Sequence, residues 1–155
     1  MRRLGLLAIA ALALGAADAL APDAMTVDGH AEHVLHLTLA QLKAMQQHEL
    51  DISFETGHGP QSGHYAGALL WDVVQQAGIV DEPSAKAKHH LQHALRVTGR
   101  DGYVVAVALG EIDPDFEGKT VILGEDSEAG RIRLIVPGDK HGGRNVRDVV
   151  RVEIE

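Results

Sequence analysis

Apolar and polar residues alternate in several short stretches of this chain, and that alternation predicts strands. "HVLHLTL" places Leu35, Leu37 and Leu39 on one face, and "ELDISFET" does the same with Leu50, Ile52 and Phe54. "ALRVTGRDGYVVAVAL" has the form of a hairpin turning at Arg100-Asp101-Gly102. Its second arm is apolar on both faces and is expected to be a central strand. "KTVILG", "RIRLIVPG" and "NVRDVVRVEIE" supply three further strands. Between them the period changes to that of a helix. Thr38 stands three residues before Gln41, the spacing of a capping box, so a short helix is expected over "TLAQLKAM". "LLWDVVQQAG" repeats Leu70, Val73, Val74 and Ala77 at helical spacing and stops at Gly78. "GHGPQSG" is expected to be a turn cluster, "DEPSAKAKHHLQ" a polar connection, and "GEIDPDFEG" a loop with one helical turn. Strands outnumber helices and the helices are short. The expected class is α+β, a mostly β mixed sheet or sandwich carrying a few helices.

The N-terminal pattern differs in kind. Met1-Arg2-Arg3 is basic, "LGLLAIAALAL" is apolar, and small residues follow, ending in Ala17-Asp18-Ala19. This is the order of a secretory signal peptide, expected to be removed after Ala19. Its apolar run is shorter than the roughly 20 residues of a membrane span. Residues 20–32, punctuated by Pro22 and Gly29, are expected to be a flexible leader, and residues 33–155 a single domain. The localisation that follows is periplasmic, with no embedding in the membrane. The chain has no cysteine, hence no disulfide to support the exported fold and no thiolate for a metal. The formal net charge of -8 argues against nucleic-acid binding, which requires a basic surface.

Known catalytic patterns are absent: the sequence contains no GxSxG, Walker or dinucleotide fingerprint and no HExxH. The ten histidines lack metal-site spacing, so no metal ligand is assigned, although adventitious metal binding stays open. Two segments carry candidate chemistry. "YAGALLWDVV" sets the only tryptophan, Trp71, after a small-residue turn, where it is either core or a plate for a flat ring. "PGDKHGGRNVRD" concentrates positive charge and glycine in an acidic chain. It is either a surface turn or a pocket wall offering an acceptor in Asp139 and guanidinium donors to a planar heterocycle.

The succession "LTLAQLKAM", "HELDISFETGHG", "YAGALLWDVVQQAGI", "RVTGRDGYVVAVALGEI", "KTVIL", "RIRLIVPGDKHGGRNVRDVVRVEI" resembles the molybdopterin-binding domain of the sulfite oxidase superfamily over about residues 33–155. The chain departs from that pattern where the family has its molybdenum-ligating cysteine: Thr56 or a neighbour stands there. A hydroxyl does not replace a thiolate on such a site. The resemblance therefore implies a small, cysteine-less periplasmic pterin-binding member, one that reports a reduced, non-molybdenum pterin to the periplasmic domain of a membrane-bound cyclic-di-GMP enzyme. The missing cysteine weighs against an enzyme, and no catalytic residue is assigned. The alternatives are a molybdenum-cofactor oxidoreductase, which would hold molybdopterin, and a histidine-rich metal-binding protein. Carried over from the family's last loop, Arg144, Asn145 and Arg147 are implied to face the pterin. Asp139, Lys140, Trp71, Thr56, His58, Arg100 and Tyr103 complete the candidate contacts.

Overall fold

The computed structural model describes residues 21–81 and 91–155. The proposed signal peptide lies outside the described residues, as does most of the polar connection, including His89 and His90. The elements follow in chain order as β1 (Ala24–Gly29), β2 (Leu35–Thr38), α1 (Leu39–Ala44), β3 (Gln47–Thr56), β4 (Gly59–Leu69), α2 (Leu70–Ala77), β5 (Ala94–Gly99), β6 (Val104–Ala108), α3 (Leu109–Ile112), β7 (Ile122–Asp126), β8 (Arg131–Ile135), a 3-10 turn (Gly142–Arg144) and β9 (Val149–Ile154). The class is α+β, two sheets with short helices, as the alternation predicts.

One sheet has five strands in the order β2-β1-β9-β5-β6 and the other four in the order β3-β4-β7-β8. β1 and β9 run parallel, and the other strand pairings are antiparallel. The main core unites Met25 and Val27 of β1, Val152 and Ile154 of β9, Leu95 and Val97 of β5, one face of α2, and Leu123, Ile132 and Leu134 of the smaller sheet. The opposite face of the smaller sheet carries a second apolar group, Ile52, Phe54, Ile122 and Ile135.

The local signals act as expected. Thr38 Oγ1 accepts from the Gln41 N–H at 3.2 Å, and Gln41 Oε1 accepts from the Thr38 N–H at 2.8 Å, closing the capping box of α1. α2 buries Leu70, Val73, Val74 and Ala77, and ends at Gly78 with φ 73°.

Three expectations need correction. Residues 24–29, read as leader, form β1, whose Met25 and Val27 are fully buried. The strand is short, with Pro22 before it and Gly29 as its last residue; what orders it is pairing to β9 at the far end of the chain. The run "GHGPQSG" is not an extended turn. Only Gly57 and His58 turn, and β4 then runs unbroken through Tyr65-Ala66-Gly67-Ala68, the expected second turn. Glycines suit this strand: a Cβ on Gly67 would strike the Leu123 carbonyl group across the β4–β7 pair. Finally, β6 is not central. It is the last strand of the larger sheet.

Candidate functional site

The loop between β8 and β9 crosses from one sheet to the other. On the way it docks on the end of β3: the Glu55 N–H donates to the Lys140 carbonyl at 2.8 Å, and Glu55 and His141 form a parallel bridge. Gly142 then lies against the Phe54 ring, so closely that an added Cβ would overlap it. Asn145 Oδ1 accepts from the Val136 N–H at 2.8 Å and closes the loop on itself. From the opposite side, the β5–β6 turn reaches over, and Tyr103 donates its hydroxyl to the Gly143 carbonyl at 2.8 Å.

These contacts border an open cleft of about 540 Å³, within the range of small-molecule sites. Phe54, Glu55, Thr56 and Gln61 form its wall on the β3–β4 hairpin. Asp101 and Tyr103 close it on one side, and His141, Asn145 and Arg147 on the other, with Arg133 also lining it.

Four residues of the sequence-derived set therefore meet at one place: Thr56, Tyr103, Asn145 and Arg147. Asn145 spends its carbonyl oxygen on the loop and keeps its amide donors. The Thr56 hydroxyl belongs to the hairpin turn, donating to the Gly59 carbonyl at 2.8 Å and accepting the His58 N–H at 3.1 Å.

The other six stand elsewhere. His58 is exposed at the hairpin turn, and Lys140 is exposed with its carbonyl bonded to β3. Trp71 packs half-buried against the main core from α2. Arg100 donates to Asp148 at 3.0 Å and to the Pro22 carbonyl at 2.8 Å. This grip holds Asp148 at φ 48°, in a region that asparagine and aspartate tolerate better than most side chains.

Arg144 and Asp139 bond to each other. The guanidinium makes a two-point contact with the Asp139 carboxylate, both distances 2.7 Å, and its remaining arm reaches Glu111 at 3.2 Å. Glu111 also accepts from Lys119 at 3.1 Å and from the Ala108 N–H at 3.0 Å. The basic loop is thus partly neutralised by a clamp that fastens it to α3. The Arg144 hydrogen bond holds the Asp139 carboxyl below its usual value against the upward push of burial. Burial pushes Glu111 up, but bonds from Lys119, Ala108 and Arg144 outweigh it and hold that carboxyl low as well. Depressed carboxyls stabilise the fold at pH values above the unfolded-state range of about 4, and lose that contribution as the pH falls through their lower folded values. Arg144→Ala should therefore cost about 2 kcal/mol at neutral pH, and the gap to the parent should close in acid. Thermal melts of both proteins across the acid range check this; a gap that does not change with pH would mean that the clamp contributes packing alone.

Sequence reasoning missed Arg133. It stands on β8 in register with Gly124 of β7, which is itself in register with Gly67 of β4, and its guanidinium lies 5.2 Å from the centre of the Tyr65 ring. The residue is 8 % exposed, and its Nε is buried with no hydrogen-bond partner. It forms no ion pair with a described residue. A buried donor of a charged group left without an acceptor is costly and is rare in a folded interior. Asp101, Gln61, Glu55 and His141 are further cleft residues outside the expected set. Nothing local distinguishes them in the sequence.

The donor set suits a flat polar heterocycle: carboxylates at Asp101 and Glu55 to accept ring N–H groups, and Asn145, Arg147 and Arg133 to donate to ring oxygen or to an anionic substituent. It offers no sulfur ligand for a metal, since the chain has no cysteine.

No family model and no curated protein matches this chain. Among solved structures it is similar to the sulfane dehydrogenase SoxCD of Paracoccus pantotrophus, with 20 % identity and a TM-score of 0.65 over 85 % of this chain and 38 % of that one. The chain thus spans less than half the length of the chain it matches. At that identity the likeness shows the fold alone, in agreement with the α+β class and two-sheet architecture described above.

Proposed function

We propose that this chain is an exported, non-catalytic pterin-binding protein that reports a reduced pterin to the periplasmic domain of a membrane-bound cyclic-di-GMP enzyme. The observation that carries the ligand-binding part is Arg133, a largely buried cation with no ion pair to a described residue, in the wall of a polar cleft of ligand size. A ligand with carbonyl or anionic groups supplies a counter-charge to that cation, and a pterin adds ring N–H groups for Asp101 and Glu55. The fold supports the pterin class, and the absence of any cysteine supports binding without a protein-ligated molybdenum. Export and the signalling partner rest on the N-terminal pattern and on the resemblance. None of the helices among the described residues is long and apolar enough to cross a membrane. Cleavage after Ala19 would leave β1 whole, since that strand begins at Ala24.

The test is release of small molecules from protein purified from its native compartment, with mass spectrometry, pterin fluorescence after oxidation, and metal analysis of the same sample. A pterin near one per chain, without molybdenum, is the expected result. Molybdenum in that proportion would replace this reading with an oxidoreductase. Zinc, copper or nickel in that proportion, with no pterin, would replace it with a metal-binding protein.

A further inference from the structure

The second arm of the β5–β6 hairpin has the composition of a central strand, Val-Val-Ala-Val-Ala, yet it stands at the edge of its sheet. The hydrogen-bond parity shows which groups are free there. Gly99 N–H donates to the Tyr103 carbonyl at 2.8 Å, and Leu109 N–H donates to the His93 carbonyl at 3.0 Å, so the odd-numbered residues bond to β5. Alternation turns the N–H and C=O groups of Val104, Ala106 and Ala108 outward. The Ala108 N–H is taken by the Glu111 carboxylate, which confirms that it points away from β5. Those of Val104 and Ala106 have no such cover among the described residues.

An open edge is a template for pairing, and proteins usually blunt it with charge, proline, a bulge or a covering segment. The other three sheet edges formed by the described residues are blunted. β2 is only four residues long. β3 carries Glu49, Asp51 and Glu55, and its end is covered by Lys140. β8 carries Arg131 and Arg133, and its Leu134 N–H is taken by the Val146 carbonyl. β6 has no charge, no proline and no bulge in its pairing with β5. Large apolar side chains are also exposed at both of its ends: Tyr103 at 51 % and Val104 at 44 % at one, and Leu91 at 45 %, against Gly110, at the other.

We propose that β6 pairs antiparallel with β6 of a second copy of this chain, joining the two larger sheets edge to edge. The strand fits itself. A two-fold axis at Ala106 sets Val104 opposite Ala108, large against small, and Val105 opposite Val107. Bonds form between the two Ala106 residues and from each Val104 N–H to the opposing Ala108 carbonyl, and Glu111 keeps the Ala108 N–H. Antiparallel apposition also brings Tyr103 of one copy toward Leu91 of the other. For a chain of net charge -8, an uncharged strip is the place where two copies meet with least repulsion. The symmetric, isologous arrangement closes at the dimer.

Sedimentation of the purified protein over a concentration series tests this independently of any ligand. The parent should reach twice the chain mass. Ala106→Lys, which puts charge on the exposed face, and Ala106→Pro, which removes an outward donor, should each weaken association by tenfold or more while circular dichroism and melting stay close to the parent's. Val34→Lys, also at an exposed site, beside the opposite edge of the sheet, should leave the dimer intact. A parent that stays monomeric at the highest concentration reached would overturn the proposal, as would a dimer that survives both Ala106 variants or one that Val34→Lys also dissociates. A monomer whose β6 takes a strand only from another protein would overturn it too.

Discussion

Arg133→Met should raise the melting temperature and weaken pterin binding in the same variant. The two effects have one cause. The residue is 8 % exposed and its Nε is buried without an acceptor, so the ligand-free protein carries the cost of one unsatisfied charged donor. The Tyr65 ring returns only about 0.5–2 kcal/mol of this as a cation–π contact. Removing an unsatisfied buried donor with an apolar side chain of similar length relieves a cost of about 1–3 kcal/mol. The same substitution deletes charged hydrogen bonds to the ligand, each worth about 1.5–3 kcal/mol, or roughly tenfold to a hundredfold in affinity. Calorimetry of the free protein and titration with a reduced pterin measure the two quantities separately. A variant that melts lower than the parent would show that Arg133 supports the core, and one that binds equally well would place the ligand elsewhere.

Gly29→Ala should be the most damaging single methyl group in the molecule, costing at least about 3 kcal/mol. Gly29 ends β1 with φ 86°, a conformation that is strained for any residue with a Cβ. An added Cβ would also strike the backbone of Ile154 in β9. That backbone has little room to yield, because Ile154 pairs with Leu95 on its other side and the next N–H, of His30, bonds to its carbonyl at 2.8 Å. Gly57→Ala is the matched control: nothing lies near the position where its Cβ would be built. Equal melting temperatures for the two variants would mean that residues 24–29 behave as a leader after all. A large difference makes β1 part of the folding unit.

Elements that depend on close neighbours along the chain are legible in the sequence itself. The capping box at Thr38 and Gln41, the helical repeat ending at Gly78 and the Arg100-Asp101-Gly102 turn each involve groups a few residues apart, and each is found where expected. The α+β class follows from the same local periods. The missing thiolate is equally a property of composition and needs no fold to be read.

Tertiary structure alone decided the rest. β1 is ordered by a parallel partner more than a hundred residues away, which no local pattern announces. The apolar strand β6 looks central because periodicity reports the character of its faces, whereas its place at an edge depends on which strands find each other. In "RIRLIVPG" Arg133 falls on the face opposite Ile132 and Leu134, where a solvated arginine is the ordinary inference. It is only 8 % exposed there, with its guanidinium against the Tyr65 ring of β4. Charge density in the last loop marked the right segment but not the roles within it: Arg144 and Asp139 satisfy each other, while Arg147 and Asn145 line the cleft. Side chains of one charge look alike in sequence, and Glu111, which completes the neutralisation of Arg144, arrives from a distant part of the chain.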